Sequence, residues 1–313
     1  MTSVSAMSTP SMHRPMETHE RIVEFVKRAS TEITTHDARL VPELAETLLP
    51  GTTVYVAHTP KASLDEVVTV SIDVQSRGLR ASPHIVARQL IGESSLRHAL
   101  GRLHSAGIEQ ALIIAGDREV PAGPFSNSLD VICSKALQDA PLRKVAFAGH
   151  PEGHHAMDAA QLVEALRQKQ DFGRRTGIEV NITTQFSFDA AAVCQWVRKL
   201  SAHDIQLPVH VGIAGPTSTQ KLLRFALKCG VGASLQSVLR NPGSVSNLVG
   251  MGTTPEEMVG ELVRLGAGEE DSQIVKPHLF TFGGALAGAK WIRAVAHGKF
   301  ELLHNGSLQL TTR

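Results

Sequence analysis

LIIAGDR (112–118), VAFAGHPEGHH (145–155) and VNITTQFSFD (180–189) are the stretches whose reading decides the fold. Each is a short apolar run that stops abruptly at a polar residue: Asp117 in the first, His150, Glu152 and His154 in the second, Gln185 in the third. A strand buried on both faces of a parallel sheet reads as a continuous apolar run. A polar residue where that run ends, just ahead of a helical pattern, stands at the strand's carboxyl end. In α/β barrels that rim carries the chemistry. Three such endings in succession predict one site gathered from several strands.

The same reading extends over the whole chain. Strands are expected at 29–34, 52–58, 82–89, 111–116, 144–149, 180–185, 207–213 and 277–282. Helical patterns fall between them, near 39–48, 63–78, 94–107, 126–138, 157–175, 189–201, 217–230 and 285–298, with a further helical insertion running to about 266. Ser63 reads as a helix cap and Gly107 as a helix stop. Alternating strand and helix argues for a parallel sheet, and eight repeats argue for closure into a (β/α)8 TIM barrel of α/β class. No G-x-G-x-x-G follows the first strand, which weakens the dinucleotide-fold alternative. Residues 1–14, MTSVSAMSTPSMHR, read as a disordered tail, and 15–313 as one barrel domain.

Composition narrows the function. The chain has 313 residues, is 42% hydrophobic and 19% charged, and carries a formal net charge of +1. That near-neutral balance gives no electrostatic case for nucleic acid or an anionic membrane. Aromatics make up only 4%, with Tyr55 the single tyrosine, so base-stacking modules are disfavoured. Cys133, Cys194 and Cys229 are widely spaced, giving neither a disulfide frame nor a thiolate metal site; Cys133 and Cys194 read as core positions. No long apolar run and no signal-like amino terminus are present, so a cytoplasmic location is expected. Most of the 15 histidines fall on stretches that read as exposed helix surface.

The strand ends supply the candidates: Glu32, His58, His84, Asp117, then His150, Glu152 and His154, then Gln185. The loops GIAGPTST and GGALAG after the last two strands place glycines at helix starts, where free N–H groups favour an anion. Each acid taken alone also reads as a cap or an ion-pair partner. His150-x-x-x-His154 has metal-ligand spacing only on one helix face, and Pro151 and Gly153 make it a loop, so no metal is expected.

At this point the chain resembles the short bacterial methylenetetrahydrofolate reductases, a barrel family. The matching pieces are SPHIVAR (82–88), GIEQALIIAGDREVPAG (107–123), HPEGHH (150–155), ITTQFSFDAAAV (182–193) and LPVHVGIAGPTSTQKLLRFALKCG (207–230). The likeness runs from about residue 22 to 298. It implies reduction of a methylene group on tetrahydrofolate to a methyl group by hydride from NAD(P)H, with FAD as the family's intermediary. By motif position Glu32 matches the general acid, Asp117 the acid on the pterin, Gln185 the folate-contacting glutamine and Phe225 the aromatic on the folate side chain. Lys221 falls with the substrate contacts. Gly116, His84, Ser126, His150, Glu152, His154 and Lys169 fall at cofactor-facing positions. An acid whose pocket can raise its pKa suits a step that opens a ring to an iminium.

The departures are as informative. Ala115 stands where the family has an arginine before Gly-Asp, and Phe125-Ser126-Asn127-Ser128 replaces a tyrosine-led run. His150 replaces a tyrosine; Leu162, Ala165 and Gln168 replace polar flavin contacts; Ala287 replaces an arginine. Each lost charged contact to a phosphate removes a strong hydrogen bond. Two expectations stay open: FAD held through main-chain groups, or direct hydride transfer from a nicotinamide in the vacated slot. The oxidative direction, a homo-oligomer, a non-catalytic folate-binding barrel and a metal-dependent hydrolase on His84, His150 and His154 are the alternatives. The first strand lacks the His-x-His such hydrolases carry.

Overall fold

The computed structural model describes residues 17–218, 221–222, 255–304 and 306–311. Eight parallel strands close on themselves in sequence order: β1 (Ser30–Thr34), β2 (Thr53–Ala57), β3 (Arg80–Val86), β4 (Gln110–Ile114), β5 (Lys144–Gly149), β6 (Glu179–Phe186), β7 (Val209–Ala214) and β8 (Ile274–Phe280). Closure is by β1, whose Ser30 pairs with Thr53 of β2 on one side and with His278 of β8 on the other. The fold is thus the (β/α)8 barrel that the apolar runs predict.

The helices are α1 (Thr18–Lys27), α2 (Val41–Thr47), α3 (Leu64–Ser76), α4 (Glu93–Ser105), α5 (Ser128–Cys133), α6 (Lys135–Gln138), α7 (Ala159–Thr176), α8 (Ala190–Ala202), α9 (Glu256–Arg264) and α10 (Ala285–Ala296). Local chemistry sets their starts. Ser63 and Glu66 form a reciprocal capping box on α3, as Asp158 and Gln161 do on α7. Outward strand residues such as Val54, Val56, Ile113, Phe147 and Ile182 pack with helix residues such as Val67, Leu96, Leu166 and Val193 in one buried layer. None of the described helices is long and apolar enough to cross a membrane.

Several expectations need correction. The third strand begins at Arg80 and ends at Val86; Ala87–Gln89 is a short 3-10 turn. The helix expected at 126–138 is two, because the Ser134 hydroxyl accepts from the Leu137 N–H and starts a new helix. Cys133, at the end of α5, is exposed, whereas Cys194 is buried as expected. A carboxyl-terminal hairpin, β9 (Phe300–Leu302) with β10 (Leu308–Leu310), follows the barrel where no strand is expected. The 1–14 tail, Cys229 and most of the 217–230 helix lie outside the described residues.

The barrel's interior departs from the usual pattern. Layers of branched apolar side chains normally fill it. Here Tyr55, His84, Asn181, Thr183, His210 and His278 are all buried. The Tyr55 ring lies 4.6 Å from His278 and 5.9 Å from His84. Its hydroxyl is 3.2 Å from Thr183 Oγ1, and Asn181 Nδ2 is 3.2 Å from His210 Nδ1. Most of the described histidines are exposed or half-buried, and His58, His84, His210 and His278 are the buried ones among them.

Candidate active site

Glu32 is the central acid of the carboxyl-end rim. Alternation along β1 points Ser30 and Glu32 inward and Ile33 out into the helix layer. Its Oε2 is 3.9 Å from His278 Nε2, and the other nitrogen of that ring, Nδ1, is 3.0 Å from Ser30 Oγ. The strand is pinned here too, since Thr281 Oγ1 donates to the Glu32 carbonyl at 3.0 Å. His278, 1% exposed, is wedged between Tyr55 and Phe280, whose rings are 4.6 and 4.9 Å away. The acid therefore sits against a fixed imidazole. His84 also senses the Glu32 charge, but burial dominates and takes its pKa down to about 4, so it is neutral near pH 7.

A second cluster surrounds the loop after β5. The His150 ring lies 4.8 Å from His154, which stacks on His155 at 4.5 Å. Burial first, then His154, Lys169 and His155, hold His150 at about 4. Burial and His155 lower His154, against the attraction of Asp117, which ties the loop after β4 to this cluster. Lys169 is buried on α7 with its ammonium 5.1 Å over the Phe147 ring, and burial takes it down to about 8. Glu152 is half-buried in the same loop.

The loop carrying Asp117 is clamped in place. Arg88 donates from Nε to the Ser126 carbonyl at 2.8 Å and from a terminal nitrogen to the Arg118 and Glu119 carbonyls at 2.8 and 3.1 Å. Gly116 turns the chain at φ +89°, and a Cβ there would lie 2.3 Å from Val86 Cγ1, so only glycine fits. Asp117 and Ser126 are exposed, and the Ser126 N–H is committed to Asp130 at 2.7 Å.

Gln185 sits where the β6–β7 register shifts, between Thr183 and Phe186. Thr184 Oγ1 fills the gap, donating to the Gln185 carbonyl at 2.7 Å and accepting from Gly212 N at 2.8 Å. Such irregularities re-aim side chains near sites. The next residue, Phe186, joins a cluster the sequence reading missed. Phe186 lies 5.8 Å from Phe188, 5.6 Å from Phe280 and 5.0 Å from Phe282. Phe282 takes a positive φ of +47°, a strained conformation for an aromatic residue and one that recurs at functional rims. Leu222 is buried in this cluster, Lys221 is exposed beside it in sequence, and Phe225 lies outside the described residues.

A set of unpartnered polar atoms completes the rim. His58 Nδ1, Thr59 Oγ1 and His84 Nε2 are buried with no hydrogen-bond partner at the ends of β2 and β3. Among the described residues no three histidine, cysteine or carboxylate side chains are grouped to hold a metal ion. The structure joins His150 to His154 and His84 to Glu32 and Tyr55, as two separate clusters. His278, Tyr55 and the phenylalanine cluster had one legible signal, the inward alternation of His278, Phe280 and Phe282.

The model of the family described as methylenetetrahydrofolate reductase matches residues 51–242, more than half of the chain. Among solved structures, the chain is similar to a dihydropteroate synthase from Thermus thermophilus, at 11% identity over 85% of this chain and 91% of that one, with a TM-score of 0.43. It is similar also to a Yersinia pestis DHPS with a pterine-sulfa conjugate, at 14% identity over 87% and 94%, TM-score 0.44. A DHDPS from Cyanidioschyzon merolae with lysine bound gives 14% identity over 88% and 99%, TM-score 0.40. At such identities and scores these three likenesses are remote.

Proposed function

The chain belongs to the methylenetetrahydrofolate reductase family, a folate-related group of oxidoreductases, and from that premise we propose that it reduces 5,10-methylenetetrahydrofolate to 5-methyltetrahydrofolate with NAD(P)H. The observation that carries this reading is Glu32 held against the buried His278 at the inner rim. Glu32 gives its proton to the ring nitrogen that leaves as the five-membered ring opens. The carbon–nitrogen bond breaks and the methylene carbon becomes an iminium, ready for hydride. General acid catalysis of this kind contributes about 10²–10⁴ in rate. Ser30 fixes the His278 ring, and the ring, 3.9 Å from the Glu32 carboxyl group, positions it.

The other residues bind. The cluster of Phe186, Phe188, Phe280 and Phe282 offers the apolar wall a flat pterin needs, with Gln185 at its edge for the polar ring edge. Asp117 faces the pterin from its clamped loop. Nicotinamide supplies the hydride when bound. The residues fit such a group: Lys169 has no carboxylate beside it among the described residues, and His58, Thr59 and His84 keep unpartnered polar atoms. Lys169, with His150 and His154 neutral beside it, provides the counter-charge for a diphosphate.

A flavin is less well served. Where the family has polar flavin contacts, Leu162 and Ala165 have none to give, and the Gln168 amide donates to Glu164 at 3.0 Å on the helix surface. We therefore favour direct transfer from the nicotinamide. The test is the visible spectrum of the purified protein after FAD addition and gel filtration, together with NAD(P)H consumption by wild type and Glu32→Gln. Colourless wild type that turns over, with an inactive Glu32→Gln that still binds folate, is expected. A co-eluting flavin band would overturn direct transfer, and equal activity of Glu32→Gln would overturn the role of Glu32.

A further inference from the structure

At the end of the barrel opposite Glu32, the strands begin with cations. Arg80 opens β3, Lys144 opens β5, and Lys276 stands two residues before His278 on β8. The two-residue period aligns each with side chains that face the barrel axis: Arg80 with Ser82 and His84, Lys144 with Ala146, Lys276 with His278. Ala146 indeed packs with Tyr55 inside the barrel. Across the ladder, Lys276 is paired with His210 and Lys144 with both Gln110 and Glu179. Arg80 leans over Gly51, its Nε 3.8 Å from where a Cβ would stand.

Carboxylates do not balance these charges. The ion pair here is Lys144 with Glu179, 3.9 Å apart, and the Glu179 side chain is 77% exposed. Among the described residues Arg80 and Lys276 have no acid partner. Arg80 is exposed and Lys276 half-buried; a partly buried cation without a counter-charge is costly, and such groups are normally paired. The sequence nevertheless keeps Lys276 where two other cations act on it.

We propose that this amino-end mouth of the barrel is a binding site for a small dianionic oxyanion, held by Lys276 together with Lys144 and Arg80. An eight-stranded barrel is only wide enough for side chains to fill, so the ligand must be small. Cations gathered at one end of the barrel raise the local potential for an anion. Burial, then Lys144 and Arg80, hold Lys276 down at about 7. The groups facing it are these two cations, Glu179, and on β7 His210, which burial and Lys276 keep neutral. An anion favours the charged lysine, so binding above pH 7 takes up a proton. Affinity then weakens as pH rises, by roughly tenfold per unit well above pH 7 for one linked proton. The proposal is independent of the folate reading.

Sulfate is the probe of choice because it stays dianionic across this range. Isothermal titration of the full chain with sulfate, with chloride holding ionic strength constant, should show a site that Lys169→Met keeps and whose affinity falls from pH 7 to pH 9. Lys276→Met should weaken it by about tenfold or more through loss of a charge-assisted hydrogen bond. Titrations of wild type at pH 8 in two buffers of different ionisation enthalpy should show net proton uptake, a readout that needs no variant. Absence of sulfate binding, binding indifferent to Lys276→Met, or zero proton uptake would each overturn the proposal.

Discussion

Replacing Lys169 by methionine should stabilise the free protein and weaken its hold on an anionic cofactor. Lys169 is 8% exposed, has the Phe147 ring 5.1 Å below its ammonium and no acid partner among the described residues, and titrates at about 8 rather than 10.5. The difference of about 2.5 units, at about 1.4 kcal/mol each, sets the burden of the buried charge at about 3 kcal/mol. The sign follows from proton counts. Below pH 8 both folded and unfolded chains carry the charge and the full burden is present. Between pH 8 and 10.5 the unfolded lysine holds a proton the folded one has lost, so wild-type stability rises with pH and the burden disappears. Methionine fills a similar volume without a charge. Urea denaturation at pH 7 should therefore show Lys169→Met more stable by up to about 3 kcal/mol, with the advantage gone near pH 10.5. NAD(P)H affinity should fall about tenfold or more. A variant less stable at pH 7, or an advantage that ignores pH, would refute the reasoning.

Two further outcomes follow from the same geometry. His278→Asn should lower kcat about tenfold to a hundredfold while leaving the folate KM nearly unchanged, because the imidazole acts through Glu32 and not on the substrate; a KM effect alone would assign it to binding. Gly116→Ala should destabilise by about 1–3 kcal/mol, through a backbone φ of +89° and a 2.3 Å approach to Val86, and should raise the folate KM by displacing Asp117. Adding Val86→Ala should recover only part of the loss in denaturation midpoint, since the backbone strain remains.

The strands were legible because burial on both faces demands continuous apolar runs, and each of the eight is found at or within a few residues of its expected place. The helix start at Ser63 was equally legible, since a cap is a contact made within one turn; Asp158 and Asp189 cap their helices in the same way, though the sequence reading did not single them out. The split at Ser134 is also local, yet it depends on whether the hydroxyl bonds forward, and composition does not record that. The grouping of Glu32 with His278 spans nearly the whole chain and exists only because β1 and β8 close the barrel.

What the sequence by itself determined is the order of elements, the strand ends on which Glu32, Asp117, His150 and Gln185 stand, and the lack of a polar group at Leu162 and Ala165. Those properties are local: an apolar run, its polar end, a missing functional group. Only the tertiary structure decided which of them share a cluster, that the barrel interior is polar, that Phe186, Phe280 and Phe282 form one wall, and that Lys276 stands among cations. Barrel closure and strand register set those distances, and both are properties of all eight strands together.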